Sequence, residues 1–307
     1  MAKDYLYPGL VIKAQSGFFT VQTEVGLVVA QLRGRLTKEQ LETDVIALGD
    51  HVKVEVLPDG KATIEEVEER ERVLSRQAPG REIEQVLVAN PDQAVIVFSC
   101  AEPDPNFRLL DRFLIMTERE EIPARIVANK IDLVKPSSAR REFGEYKKIG
   151  YPMHYTSAIT GKGVSKLRKA LKGKLSVFTG PSGAGKSTLL NAIEAGLGLR
   201  TQEVSEATGK GVHTTVVPEL LPLEVGGYVA DTPGLKALDL WDIEPEELDA
   251  YFLEMRDLVA ACEFSDCTHV HEPGCAVIEA VERGKISLER YDSYLRIRSG
   301  EEEKLEW

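Results

Sequence analysis

No apolar run in this 307-residue chain approaches the ~20 residues that a membrane-crossing helix requires. The opening Met1-Ala2-Lys3-Asp4-Tyr5 has no apolar core of the secretory kind, so a cytoplasmic protein with no membrane partner is expected. Cysteine is scarce, with 4 in all, and 3 of them crowd into residues 262–275 while Cys100 stands apart. That is too few and too clustered for a disulfide framework, and it suits a metal site in a reducing compartment. Cys100 closes the strand-like Gln93-Ala94-Val95-Ile96-Val97-Phe98 and reads as a small buried hydrophobe. Basic residues are not in excess: 50 acidic against 38 basic side chains give a net charge of −12. This excludes nucleic-acid binding by bulk charge and leaves it only to local clusters. Internal repeats and heptads are absent, and a monomer is expected.

What is present is a phosphate-binding loop. Leu175-Ser176-Val177-Phe178-Thr179 reads as a buried strand, Gly180-Pro181-Ser182-Gly183-Ala184-Gly185-Lys186-Ser187 follows, and Ser187 to Ala195 reads as a helix. The glycines let backbone N–H groups wrap phosphate oxygens at a helix N-terminus, where anions are favoured. Lys186 is expected to reach the β- and γ-phosphates and the Ser187 hydroxyl to ligate Mg²⁺, with Thr188 beside it among the nucleotide contacts.

The base-reading signal lies upstream. Asn129-Lys130-Ile131-Asp132 closes the apolar stretch from Ala124, at a strand's C-terminal end where open α/β sheets bind ligands. A carboxylate at Asp132 accepts two N–H groups from a guanine edge, a pattern that adenine lacks. Ser157-Ala158 resembles the remaining base-contacting element. Downstream, Asp231-Thr232-Pro233-Gly234 supplies an acidic residue for Mg²⁺ and a glycine N–H for the γ-phosphate. Between loop and aspartate, Gly209-Lys210-Gly211-Val212-His213-Thr214-Thr215 reads as a first switch, with Thr215 as the Mg²⁺ ligand and Thr214 as its alternative. Leu235 stands where many GTPases carry a water-positioning glutamine, and it can neither donate nor accept a hydrogen bond. His213 is the nearest group able to hold that water. Base-reading motif before phosphate loop is the reverse of the usual order, which implies a circularly permuted G domain. Only 27 residues separate Gly234 from Cys262, too few for a second base-reading strand, helix and loop.

Cys262, Cys267, His269 and Cys275 offer three thiolates and an imidazole, a donor set for closed tetrahedral zinc. His271 is an equivalent donor on chemical grounds. Such a closed site folds the tail and leaves no position for catalysis.

The first 68 residues hold five short β-like runs, at Leu10-Val11-Ile12, Phe18 to Val21, Gly26 to Ala30, Val52 to Val56 and Ala62 to Val67, with Pro58-Asp59-Gly60 as a turn. Five such strands suit an OB-fold barrel. Arg33, Arg35 and Lys38 in one connection are candidate RNA phosphate contacts. A second basic group runs from Lys162 to Lys174, although Val164 to Leu171 also reads as an amphipathic helix with a solvated face. The acidic run near Glu69 and Arg76-Gln77-Ala78-Pro79-Gly80 read as a linker, Phe107 to Glu118 as a core helix, and Pro245-Glu246-Glu247-Leu248 as a helix start.

The permuted motifs, Gly211-Val212-His213-Thr214-Thr215, Leu235 after Asp-Thr-Pro-Gly, and the cysteine–histidine cluster together resemble the bacterial ribosome small subunit biogenesis GTPase family, RsgA, also called YjeQ or YloQ. The resemblance spans nearly the whole chain. It implies an all-β OB-fold barrel at residues 1–68, a permuted α/β P-loop G domain at 69–240 and an α-helical zinc-binding domain at 241–307. It further implies His269 as the fourth zinc ligand, GTP and GDP as ligands, and the small ribosomal subunit with its rRNA as partner. Turnover stimulated by that subunit during late assembly follows from the resemblance as well. Two other readings remain: a nucleotide-dependent RNA chaperone whose hydrolysis the subunit does not stimulate, and a P-loop kinase or ATPase, which Asp132 opposes.

Overall fold

The computed structural model describes residues 6–34, 46–57, 61–77, 84–199, 219–231 and 243–301. The chain divides into two compact units, one of residues 1–95, 164–179 and 186–237, the other of 96–163, 180–185 and 238–307.

The first unit opens with β1 (Leu6–Gln15), β2 (Phe18–Thr23), β3 (Gly26–Leu32), β4 (His51–Val56) and β5 (Ala62–Val67). These close into a barrel of order β1-β2-β3-β5-β4, with β3 and β5 parallel and the other pairs antiparallel. Alternation dictates the inside: Val11, Val21, Ala30, Val52, Val54, Ala62 and Ile64 fill it together with Ile46. Ser16 and Gly17, both at positive φ (51° and 80°), turn β1 into β2. A bulge between Val11 and Lys13 bends the long β1 so that it pairs with both β2 and β4. The five runs legible in the sequence are these five strands.

Strands β6 (Val73–Gln77) and β7 (Glu84–Ala89) form an antiparallel pair. The expected linker at 76–80 is thus corrected in its first half: Arg76 and Gln77 pair with Gln85 and Glu84. β-branched residues at Val73, Val86 and Val88 supply the strand preference that the polar tail of the segment obscured. Strand β8 (Gln93–Ser99) is buried throughout and runs from the first unit into the second.

The first unit continues with α4 (Val164–Leu171), β11 (Lys174–Thr179), α5 (Lys186–Ile193), β12 (Leu220–Pro222) and β13 (Gly227–Asp231), numbered after α1 to α3, β9 and β10 of the second unit. β11 and β13 are parallel, and β12 lies antiparallel to β13. The start of β11 is latched: Asp92 Oδ2 accepts from Leu175 N at 2.6 Å, and Gln93 Nε2 donates to Ser176 Oγ at 2.9 Å.

The second unit contains α1 (Phe107–Arg119), β9 (Ala124–Asn129), α2 (Pro136–Glu142), α3 (Gly144–Ile149), β10 (Met153–Tyr155), α6 (Leu253–Val259), α7 (Ala276–Glu282) and α8 (Leu288–Arg298). β10, β9 and the second-unit part of β8 lie side by side in that order. Asn106 caps α1 by accepting from Leu109 N at 3.1 Å. The helix start expected near Pro245 is realised in two pieces, a 3₁₀ turn at Leu248–Tyr251 and then α6, because Phe252 between them is extended (φ −99°, ψ 104°). Leu248, Phe252, Met255, Cys275, Val277, Ala280, Ile286 and Tyr294 share one core with Ile115 of α1. Among the described residues no helix is long and apolar enough to cross a membrane.

Candidate nucleotide site and metal centre

Strand β9 delivers Asn129 to its C-terminal end, where the residue is 1% exposed. Its Nδ2 donates to Ala184 O at 3.0 Å, and its Oδ1 accepts from Thr156 Oγ1 at 3.0 Å. One buried amide therefore ties the base-reading segment to the phosphate loop and to the loop carrying Ser157 and Ala158. A buried amide is retained at such a position only when its polar atoms are satisfied. Backbone bonds reinforce the junction, from Ile131 N to Thr156 O (3.1 Å) and from Thr156 N to Ala128 O (2.9 Å). Ser157, fully buried, accepts at Oγ from Thr160 N (3.1 Å). Lys130, in the left-handed region at φ 59°, is hydrogen-bonded through Nζ to Glu102 O. Asp132 is exposed.

In the phosphate loop, Gly180 (φ 134°) passes so close to β8 that a Cβ would lie 2.1 Å from Val97 O. Gly185 (φ 86°) would place a Cβ 2.7 Å from Asn129 Nδ2. Both positions demand glycine for conformation and for room. Pro181, Ser182, Gly183 and Ala184 complete the turn, with Ala184 buried, and α5 begins at once with Lys186, Ser187 and Thr188, all half-buried. The second unit thus brings together Asn129, Lys130, Asp132, Ser157, Ala158 and Gly180 to Gly185. Asp231 ends β13, its carboxylate being outside the described part. His213, Thr214, Thr215 and Gly234, like Arg35 and Lys38, lie outside the described residues.

Cys100, next in the chain after β8, is buried and donates its N–H to Asn129 O at 2.8 Å. Burial, then the carboxylates of Glu142 and Asp132, push its thiol up to about 12. A neutral, enclosed thiol is inert.

The second constellation lies between α6 and α7. Donor atoms of Cys262, Cys267, His269 and Cys275 all fall within 4.8 Å of one another. His269 Nδ1 is 3.3 Å from Cys275 Sγ and 3.6 Å from Cys262 Sγ, and the two sulfurs are 4.0 Å apart. Tetrahedral zinc with ~2.3 Å bonds to sulfur sets its sulfurs ~3.8 Å apart, so the donors fit such an ion. His271 is exposed, which leaves His269 as the imidazole of the group. Two tyrosines of α8 hold the loop, Tyr291 donating to His269 O (2.7 Å) and Tyr294 to Thr268 O (2.9 Å). Burial works against ionised Glu272, yet bonds from the Thr268 side chain and backbone, then from His271 N, hold it well below the usual carboxylate range.

Sequence reasoning missed Thr156, whose hydroxyl completes the Asn129 junction, although its place directly before Ser157 was a usable signal. It also missed a buried ion cluster that had no local signal. Arg290, 2% exposed, pairs with Asp111 (Nη1 to Oδ1, 2.6 Å) and in two bonds with Glu254 (Nε to Oε1, 2.6 Å; Nη2 to Oε2, 3.1 Å). Tyr146 donates to the same Asp111 oxygen at 2.7 Å, and the guanidinium lies 4.4 Å from the Phe252 ring centre.

Two family models match: "RsgA N-terminal domain" over residues 8–64 and "RsgA GTPase" over residues 67–241. A protein of Gemmatimonas aurantiaca named small ribosomal subunit biogenesis GTPase RsgA is 45% identical over 294 residues, covering 94% of this chain and 96% of its own. A Moorella thermoacetica protein of the same name is 45% identical over 287 residues, covering 94% of each chain. The crystal structure of YjeQ from Thermotoga maritima superposes with a TM-score of 0.82 at 38% identity, covering 96% of this chain and 98% of its own. That of YloQ, described as a circularly permuted GTPase, gives 0.78 at 30% identity, covering 98% and 96%.

Proposed function

The chain belongs to the RsgA GTPase family, and from that premise we propose that it is a GTP-hydrolysing switch that binds the small ribosomal subunit and assists its late assembly, its turnover raised by the subunit. The observation that supports the reading is the Asn129 amide, which joins the loop proposed to read guanine to the Gly180–Gly185 loop that follows it in sequence. The proposed domains are 1–68, 69–240 and 241–307, and the protein acts in the cytoplasm as a monomer with no membrane partner.

In this reading Asp132 accepts from the guanine edge, and Asn129, Lys130, Ser157 and Ala158 belong to the loops that surround the base. Gly180 to Gly185 and the first turn of α5, with Lys186 and Thr188, cradle the phosphates. Ser187, Thr215 and Asp231 would hold Mg²⁺, which neutralises phosphate charge when bound with GTP. Gly234 N–H senses the γ-phosphate, and His213 positions the attacking water in place of the glutamine that Leu235 displaces. Zinc on Cys262, Cys267, His269 and Cys275 folds the C-terminal helices, since four protein donors leave no open position.

Hydrolysis of GTP and of ATP, each measured with and without purified small subunits, tests the function. GTP-selective turnover that rises with subunits is expected. Equal use of ATP returns the kinase or ATPase reading, and selective but unstimulated turnover returns the chaperone reading. Unchanged turnover in His213→Ala removes the histidine from the mechanism.

A further inference from the structure

His269 carries a second contact that the four-donor reading does not use. Its Nε2 lies 3.0 Å from Asp249 Oδ2, on the side of the ring away from the thiols, while Nδ1 faces Cys275 and Cys262. The ring is fully buried, and the Asp249 side chain is 16% exposed. A carboxylate oxygen facing Nε2 offers an acceptor to a ring N–H at that atom, the arrangement that leaves the Nδ1 lone pair for a metal in the cluster. The backbone leaves little freedom to arrange this otherwise, because His269 is a non-glycine residue at φ 58° whose carbonyl is fixed by Tyr291. Asp249 is itself held in place: it belongs to the 3₁₀ turn Leu248–Tyr251, and Leu248 and Phe252 on either side of it are buried in the core that contains Cys275.

We propose that Asp249 is the positioning residue of the metal centre, fixing tautomer and ring orientation of His269 so that Nδ1 is the donor. This rests on the reading of the four residues as a metal site. The role requires an acceptor facing Nε2, which the Oδ1 of asparagine supplies with its amide turned, without the charge, and alanine does not. Groups of this kind are worth 10–100-fold in metal affinity.

The test uses the full chain, with zinc affinity measured by competition against a chromogenic chelator and with Co²⁺ as a spectroscopic probe. Asp249→Ala is expected to weaken zinc binding about 10–100-fold and to shift the Co²⁺ ligand-field bands, while Asp249→Asn keeps most of the affinity. Asp249→Ala with the affinity and the Co²⁺ spectrum of the parent overturns the proposal, as does Asp249→Asn falling as far as alanine. If Asp249→Ala fails to fold, Asp249→Leu replaces it as the variant without an acceptor: weakened zinc binding beside a near-parental Asp249→Asn supports the role, and parental binding in both overturns it. A parent chain that binds neither ion sinks the metal reading itself, a separate outcome from failure of the positioning role.

Discussion

At the nucleotide site Asp132 and Ser182 are exposed and Lys130, Lys186, Ser187 and Thr188 half-buried, while Asn129, Ser157 and Ala184 are sealed in behind them. At the metal centre His269 and Cys275 are buried, Cys262 and Cys267 half-buried, and every donor faces another donor. The first is shaped by backbone, with glycines at positive φ and one amide as its joint, so a ligand can enter and leave. The second is shaped by side chains that close on one point, which suits an ion that stays. An open loop site and a closed donor cluster thus carry different burial signatures in one chain.

The contrast breaks most visibly if the metal is withdrawn. Chelation, or Cys275→Ala, should abolish a metal-dependent folding contribution on the order of 10 kcal/mol, seen as loss of helical signal from residues 243–301, while GDP affinity stays within a few-fold. In the stripped protein three thiols should titrate quickly with an aromatic disulfide, and Cys100 only after global unfolding. Next in size is Arg290→Met, which strands the buried carboxylates of Asp111 and Glu254. A loss of about 3–5 kcal/mol in urea unfolding is expected, and a loss below 1 kcal/mol would show that the cluster contributes little.

On the nucleotide side, Asp132→Asn would replace the proposed pair of charge-assisted bonds to guanine by at most one neutral bond, and should cost about 3 kcal/mol in GDP affinity with no change in melting temperature. Asn129→Ala sharpens the comparison because it touches the buried amide that joins the loops of the open site. Leaving Ala184 O and Thr156 Oγ1 without their partner should cost about 1–3 kcal/mol, in stability and in affinity together. The smallest effect belongs to Lys13→Ala, whose pair with Glu219 is half-exposed. It should change stability by less than about 1 kcal/mol and less still at high salt.

Much of this was legible before any coordinates. Short alternating runs such as Val52 to Val56 marked the barrel strands, and the phosphate loop and the Asn129 tetrapeptide announced themselves by residue type and spacing. These features are local, set by side-chain period or by glycine where φ must be positive. What stayed hidden is not local. Nothing near Arg290 points to Asp111, 179 positions away, and nothing near Asp249 points to a histidine 20 positions on. The break at Phe252 escaped notice because Leu248, Phe252 and Met255 fit one helical face whether or not the backbone is continuous. His271 and His269 were chemically equal until burial separated them.

The Arg290 cluster also has a consequence for how the chain is made. Asp111 and Tyr146 are translated long before their guanidinium partner, and α1 must hold a carboxylate facing a seat not yet filled. During synthesis that span cannot close until residue 290 has been made. The C-terminal helices therefore act as the last piece fitted, and a nascent chain stalled before residue 290 should expose this flank of α1 to chaperones and proteases.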